Sequence, residues 1–111
     1  MRLKEQFMES KSFAVYILYS VKLDRFYIGT TDNIERRIIE HNSGKYDDSY
    51  TLRGVPWDLF LLIDGLSSKQ AFQIEAHIKK MKSKNYIRSL SLYPELIEKL
   101  KNRYDSLVRP R

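Results

Sequence analysis

Tyr16 and Tyr27 stand eleven residues apart on two short, strand-like apolar runs, 14–19 and 26–29. Arg37 and His41 follow one helical turn from each other, and Glu75 comes later within an apolar helical pattern. The types are chemically complementary. A phenol orients or deprotonates water, an imidazole accepts a proton, a guanidinium holds an anionic oxygen and a carboxylate carries a metal ion. Attack of water on a phosphate ester draws on these groups, because charge builds on the phosphate oxygens and on the leaving oxygen.

Helical geometry sorts the polar residues. At about 100° per residue, with Ile34 at zero, Ile38 falls near ~40°, His41 near ~340°, Arg37 near ~300° and Arg36 near ~200°. His41 therefore lies inside the apolar sector and Arg37 at its rim, while Arg36 faces water. Arg37 is the phosphate-binding candidate. In the second helix, with Ala71 at zero, Ile78 falls near ~340°, Ile74 near ~300°, Met81 near ~280°, Phe72 near ~100° and Glu75 near ~40°. Glu75 is expected inside the apolar stripe, where an ionised carboxylate costs several kcal/mol unless it is paired or bound to a cation. An internal salt bridge, with Arg37 itself as one partner, and a bound metal ion both meet that need. His77, two residues on, points to another face and is expected to be solvated. Lys45, Asp47 and Asp48 are expected to be exposed loop residues.

The elements that position these groups follow from pattern. Residues 13–19 are almost wholly apolar and β-branched or aromatic, suiting a strand covered on both faces. A compact connection leads to a return strand over 26–29, making a hairpin. Asp32 with Glu35 resembles a capping box for a helix to about 42, stopped by Ser43-Gly44. A polar loop is expected over 45–56 and a third strand over 57–63. Ser67 with Gln70 opens a second helix to about 81. A break over 82–85, a further helix or helical turn over 86–91 and a last helix over 93–104 with Pro94 in its first turn complete the chain. The expected class is α+β, a small three-stranded, mainly antiparallel sheet flanked by helices in the order β-β-α-β-α-α.

With 111 residues the chain suits one domain. No apolar run reaches the length of a membrane span, no secretory h-region opens the chain, and there is no cysteine for a disulfide or thiolate site, so a cytoplasmic protein is expected. Charge is segregated. Residues 1–78 hold ten Lys/Arg against eleven Asp/Glu, whereas 79–111 hold ten against three, so the formal excess of +6 lies in the last third. A concentrated basic surface attracts polyanions. Lys79, Lys80, Lys82, Lys84 and Arg88 are the nucleic-acid-binding candidates.

The order of motifs resembles the GIY-YIG nuclease family. Its second motif is intact as Tyr27-Ile28-Gly29, and its first is present in altered form as Ala14-Val15-Tyr16. The stretch from Tyr27 to Lys45, then Gly54-Val-Pro-Trp57 and Ile74-Glu75-Ala-His-Ile-Lys-Lys-Met-Lys82, are also similar to its small stand-alone members. The resemblance spans about residues 12–88. It implies a nuclease domain over 12–91, preceded by a leader or short helix over 1–11 and followed by a basic helix and tail over 92–111 packed on the same domain. It further implies a divalent ion, Mg2+ or Mn2+, on Glu75; Arg37 on the scissile phosphate; and Tyr16 or Tyr27 as the base with help from His41. Asn85 lies near where some relatives carry an asparagine that steadies the site. The implied substrate is DNA, duplex or branched, with RNA as a further candidate and a protein partner as a possible source of specificity. A non-catalytic nucleic-acid-binding module and a partner-dependent subunit are the competing readings.

Overall fold

The strand with apolar residues on both faces is the middle one. In the computed structural model, which describes residues 12–44 and 49–105, the sheet runs β2-β1-β3. Here β1 is Phe13–Ser20, β2 is Arg25–Thr31 and β3 is Trp57–Leu66. Both pairings are antiparallel, so the class is the expected α+β. Residues 14–18 of β1 are all buried, which the central position explains.

Alternation along β1 divides the core. Val15 and Ile17 face one layer, with Ala71, Ile74 and Ile78. Tyr16 and Leu18 face the other, with Trp57 and the half-buried Tyr27, Ile34 and Ile38. The helices are α1 (Ile34–Ser43), α2 (Ser49–Arg53), α3 (Ser68–Met81), α4 (Lys84–Leu92) and α5 (Pro94–Arg103). The first layer carries α3, with α4 and α5 packed beyond it through Ile87, Leu90 and Leu100. The second carries α1. No helix of the described residues is long and apolar enough to cross a membrane.

Several boundaries differ from expectation. The N-cap of α1 is Asn33, not Asp32: its side chain accepts from Arg36 N at 3.0 Å, while Asp32 pairs with the Arg36 side chain at 3.4 Å. The Asp32-Glu35 spacing imitates a cap one residue early. The loop expected over 45–56 contains the short helix α2, and β3 runs three residues past 63. The break after α3 is confined to Lys82 and Ser83, because the Ser83 hydroxyl accepts from Tyr86 N at 3.0 Å and so starts α4 at Lys84. The last helix begins at Pro94 and ends at Arg103, one residue inside the expected bounds at each end. The expected leader over 1–11, the loop residues Lys45, Asp47 and Asp48, and the end of the tail over 106–111 lie outside the described residues.

Ser67 and Gln70 form the reciprocal cap that their spacing predicts: Ser67 Oγ accepts from Gln70 N at 3.1 Å, and Ser67 N donates to Gln70 Oε1. The Gln70 amide also donates to the Lys101 carbonyl at 2.9 Å, tying α5 to the start of α3. Ser67 is buried, so its loss leaves a buried donor without its acceptor. The Ser67→Ala chain is expected to lose about 1–2 kcal/mol, read as a lower urea midpoint with an unchanged denaturant slope.

Candidate active site

Tyr16 is paired across the sheet with Gly29. That glycine has a steric reason: a Cβ built there would run into the Tyr16 phenol. The ring therefore lies against the bare backbone of β2, fully buried, with its oxygen turned toward α1. Tyr27 stacks beside it at 6.3 Å between centroids and meets the His41 ring edge-on at 4.5 Å. Trp57 supports Tyr27 from below at 6.1 Å, its indole N–H held by the Thr51 carbonyl at 2.7 Å.

The other two groups come from α1. Arg37 Nη2 and Nε both donate to the Tyr16 oxygen, at 3.0 and 3.2 Å. His41 Nε2 lies 3.0 Å from the same oxygen. A phenol has one proton to donate, and with two guanidinium N–H groups aimed at its lone pairs that proton is left to point at Nε2. The imidazole then accepts it. His41 is 1% exposed, while the side chain of Arg37 is 23% and that of Arg36 57% exposed, the ranking that the helical angles predict.

Glu40 was missed by the sequence reading. It is nearly buried, and its carboxylate pairs with Arg37 Nη1 at 3.4 Å and with Arg36 Nε at 3.8 Å. The pairing steers Arg37 so that its remaining N–H groups reach Tyr16. The signal was present in the i, i+3 spacing on a helix already recognised.

Glu75 sits elsewhere. The buried stripe of α3 is Ala71, Ile74 and Ile78, whereas Phe72 is 59% and Met81 45% exposed. Glu75 is therefore at the rim of the stripe rather than inside it, with its side chain 17% exposed. It belongs to the layer opposite the phenols. Its carboxylate accepts from Thr30 Oγ1 at 2.5 Å and pairs with Lys79 Nζ at 2.6 Å, not with Arg37. Thr30 follows Gly29 on β2, an outer strand of the sheet. Two half-sites thus meet at that strand: phenols, guanidinium and imidazole on one face, and the anchored carboxylate on the other. Thr30 was also missed; strand alternation places it on the α3 side.

Among the described residues no cluster of three or more His, Asp or Glu side chains is arranged to hold a metal ion. The donor set nevertheless suits a hard divalent cation. Mg2+ keeps several waters and needs one or two carboxylates. Glu75 offers one, fixed by Thr30, and its second oxygen already attracts the ammonium of an exposed lysine.

The basic candidates separate by partner. Lys79 is on Glu75; Lys80 lines a cleft with Arg103 on the far side of α3. Lys84 bonds Asp24, Arg88 lies over the Phe26 ring at 5.8 Å, and Lys82 is exposed. Asn85 is exposed on α4, its carbonyl accepting from Ser89. His77, expected to be solvated, is half-buried, with Nδ1 2.9 Å from the Tyr104 hydroxyl and its ring near Tyr86 at 6.0 Å. Burial, then the charges of Arg103 and Lys80, hold its pKa below the ordinary imidazole value. The missing information was α5, whose packing covers that face of α3.

A three-stranded antiparallel sheet with a buried phenol gripped by a helical Arg/His pair makes this a small α+β protein with a polar candidate site at one edge strand. The chain matches the GIY-YIG catalytic domain over residues 12–88 and belongs to that nuclease family. It is 41% identical over 88 residues to a UPF0213 protein of Syntrophus aciditrophicus, covering 78% of this chain and 97% of that one. A UPF0213 protein of Bacillus licheniformis is 36% identical over 78 residues, covering 70% of this chain and 78% of that one. Structure-specific endonuclease subunit slx1 of Xenopus laevis is 40% identical over 58 residues, covering 48% of this chain and 21% of that one. No solved structure matches.

Proposed function

We propose that this chain is a divalent-metal-dependent endonuclease that hydrolyses phosphodiester bonds in DNA, recognising strand structure such as flaps or branches, in repair, recombination or defence. One observation carries the reading: the Tyr16 oxygen is shared by His41 and Arg37. Of the two phenols, only Tyr16 has both a proton acceptor and a cation on its oxygen, so it is the base, and Tyr27 positions water and phosphate beside it. Arg37 turns from Tyr16 to the non-bridging phosphate oxygens as substrate enters, which uncovers the buried phenol oxygen. His41 takes the phenol proton, and the phenolate takes a proton from the attacking water. Mg2+ or Mn2+ on Glu75 would neutralise charge on the phosphate and on the leaving oxygen. Thr30 keeps Glu75 oriented at the strand edge.

The test uses the chain and its Glu75→Gln variant with labelled single-stranded, duplex, flap and branched DNA, in magnesium or in chelator. Wild-type cutting is expected to need the ion, and the variant to lose about 10²-fold or more of it. Cutting that survives in the variant removes Glu75 from the reaction. Equal or absent nicking in every sample leaves a non-catalytic nucleic-acid-binding module as the function.

A further inference from the structure

Farther down β2 from Glu75 lies a second cleft of about 310 Å³, between Arg25, Phe26 and Ile28 on the strand and Lys82, Ser83 and Lys84 at the α3–α4 junction. Phe26 and Ile28 share the sheet face of Thr30, so the cleft opens on the side and along the edge strand where Glu75 is held. Arg25 and Lys82 are exposed, and neither side chain makes an ion pair or hydrogen bond among the described residues. Arg88 adds a third cation over Phe26. The acidic group nearby is Asp24, and its charge is engaged: Tyr19 donates to it at 2.6 Å and Lys84 at 3.1 Å.

Backbone geometry marks the same place. Among the described residues, the non-glycine positions with positive φ are Asp24 at 52° and Lys82 at 48°, one beside each wall of the cleft. Lys84 reaches across the cleft from its helix, donating also to the Asp24 carbonyl at 2.7 Å. Lys82 is the left-handed C-cap of α3, a position that glycine fills with less strain. Strained non-glycine residues of this kind gather at functional sites. Here the strain keeps a long cation where a glycine would serve the helix better.

We propose that this cleft binds backbone phosphates of the DNA strand leading away from the scissile phosphate, with Lys82 and Arg25 as the contacting cations. The proposal rests on the nuclease reading for where that strand begins. From Thr30 to Arg25 is about 16 Å of strand at ~3.3 Å per residue, and from Glu75 to Lys82 about 10 Å of helix at ~1.5 Å per residue. A duplex advances ~3.4 Å along its axis per nucleotide of one strand, so with its axis along β2 the contact falls roughly three to five nucleotides from the cut.

The test measures anisotropy of a labelled DNA duplex across salt concentrations, without divalent ion so that the DNA stays whole, together with the Tm of each chain. Lys82→Gly is expected to keep or raise Tm, to weaken binding several-fold at low salt and to reduce the slope of log K against log salt by about one. Arg25→Gln, which leaves the helix cap alone, is expected to reduce it by about the same amount. Wild-type slopes in both variants overturn the proposal, whatever the cutting assay shows. Reduced slopes in a chain that cuts no substrate support the cleft and overturn the nuclease reading alone.

Discussion

Arg37→Ala is expected to lower the single-turnover rate of DNA cutting by about 10³-fold, the effect of removing a guanidinium from a phosphoryl transition state. The argument is geometric. Arg37 is held by Glu40 beside the Tyr16 oxygen, so its fork has only a short swing from that oxygen to the phosphate when substrate arrives. Lysine keeps the charge without the fork, and Arg37→Lys is expected to recover little of the loss. The fold should survive both changes, because the side chain is at the rim of the core. Urea unfolding of the same samples separates a chemical defect from an unfolded one. A rate for Arg37→Ala within about fivefold of wild type would remove the residue from the transition state.

The second large effect comes from a residue with no functional group. In Gly29→Ala the new methyl meets the Tyr16 phenol, so either the ring rotates or β1 and β2 part. Both responses pull the phenol oxygen from His41 and Arg37. A displacement of about 1 Å is enough to cost ~10²-fold in rate, and overpacking of this kind costs about 1–3 kcal/mol of stability. The two consequences share a cause, which a double-mutant cycle exposes. In a Tyr16→Ala background the methyl has room, and Gly29→Ala should cost almost no further stability. Full cutting by the Gly29→Ala chain would show that the tyrosine does not need its observed place.

The same glycine shows why parts of this protein were legible from its residues. The two strand runs, the Arg37–His41 pair and the Ser67–Gln70 cap depend on neighbours within a few positions. Periodicity and spacing report such local relations directly. Arg36 and Arg37 were told apart for this reason, since 100° of helix rotation settles which faces the core. Asn33 displaced Asp32 as a cap because two adjacent residues of similar propensity compete, and backbone geometry at the turn decides between them.

Long-range placement is a different matter. Glu75 looked like part of the apolar stripe because the angle of a residue on its own helix does not say where the neighbouring elements end. Only the packed sheet puts α3 against the face opposite Tyr16, so that Glu75 reaches the site at the strand edge through Thr30. Nor does a count of lysines reveal that Lys79 neutralises Glu75, that Lys84 braces the hairpin turn or that Lys80 faces α5. From residues alone came most of the element types, a strand covered on both faces and the five candidate site residues, because hydrophobic period and helical rise act locally. The tertiary structure decided which face each group occupies and which charges remain free, because those depend on contacts between segments up to sixty residues apart, as between Asp24 and Lys84.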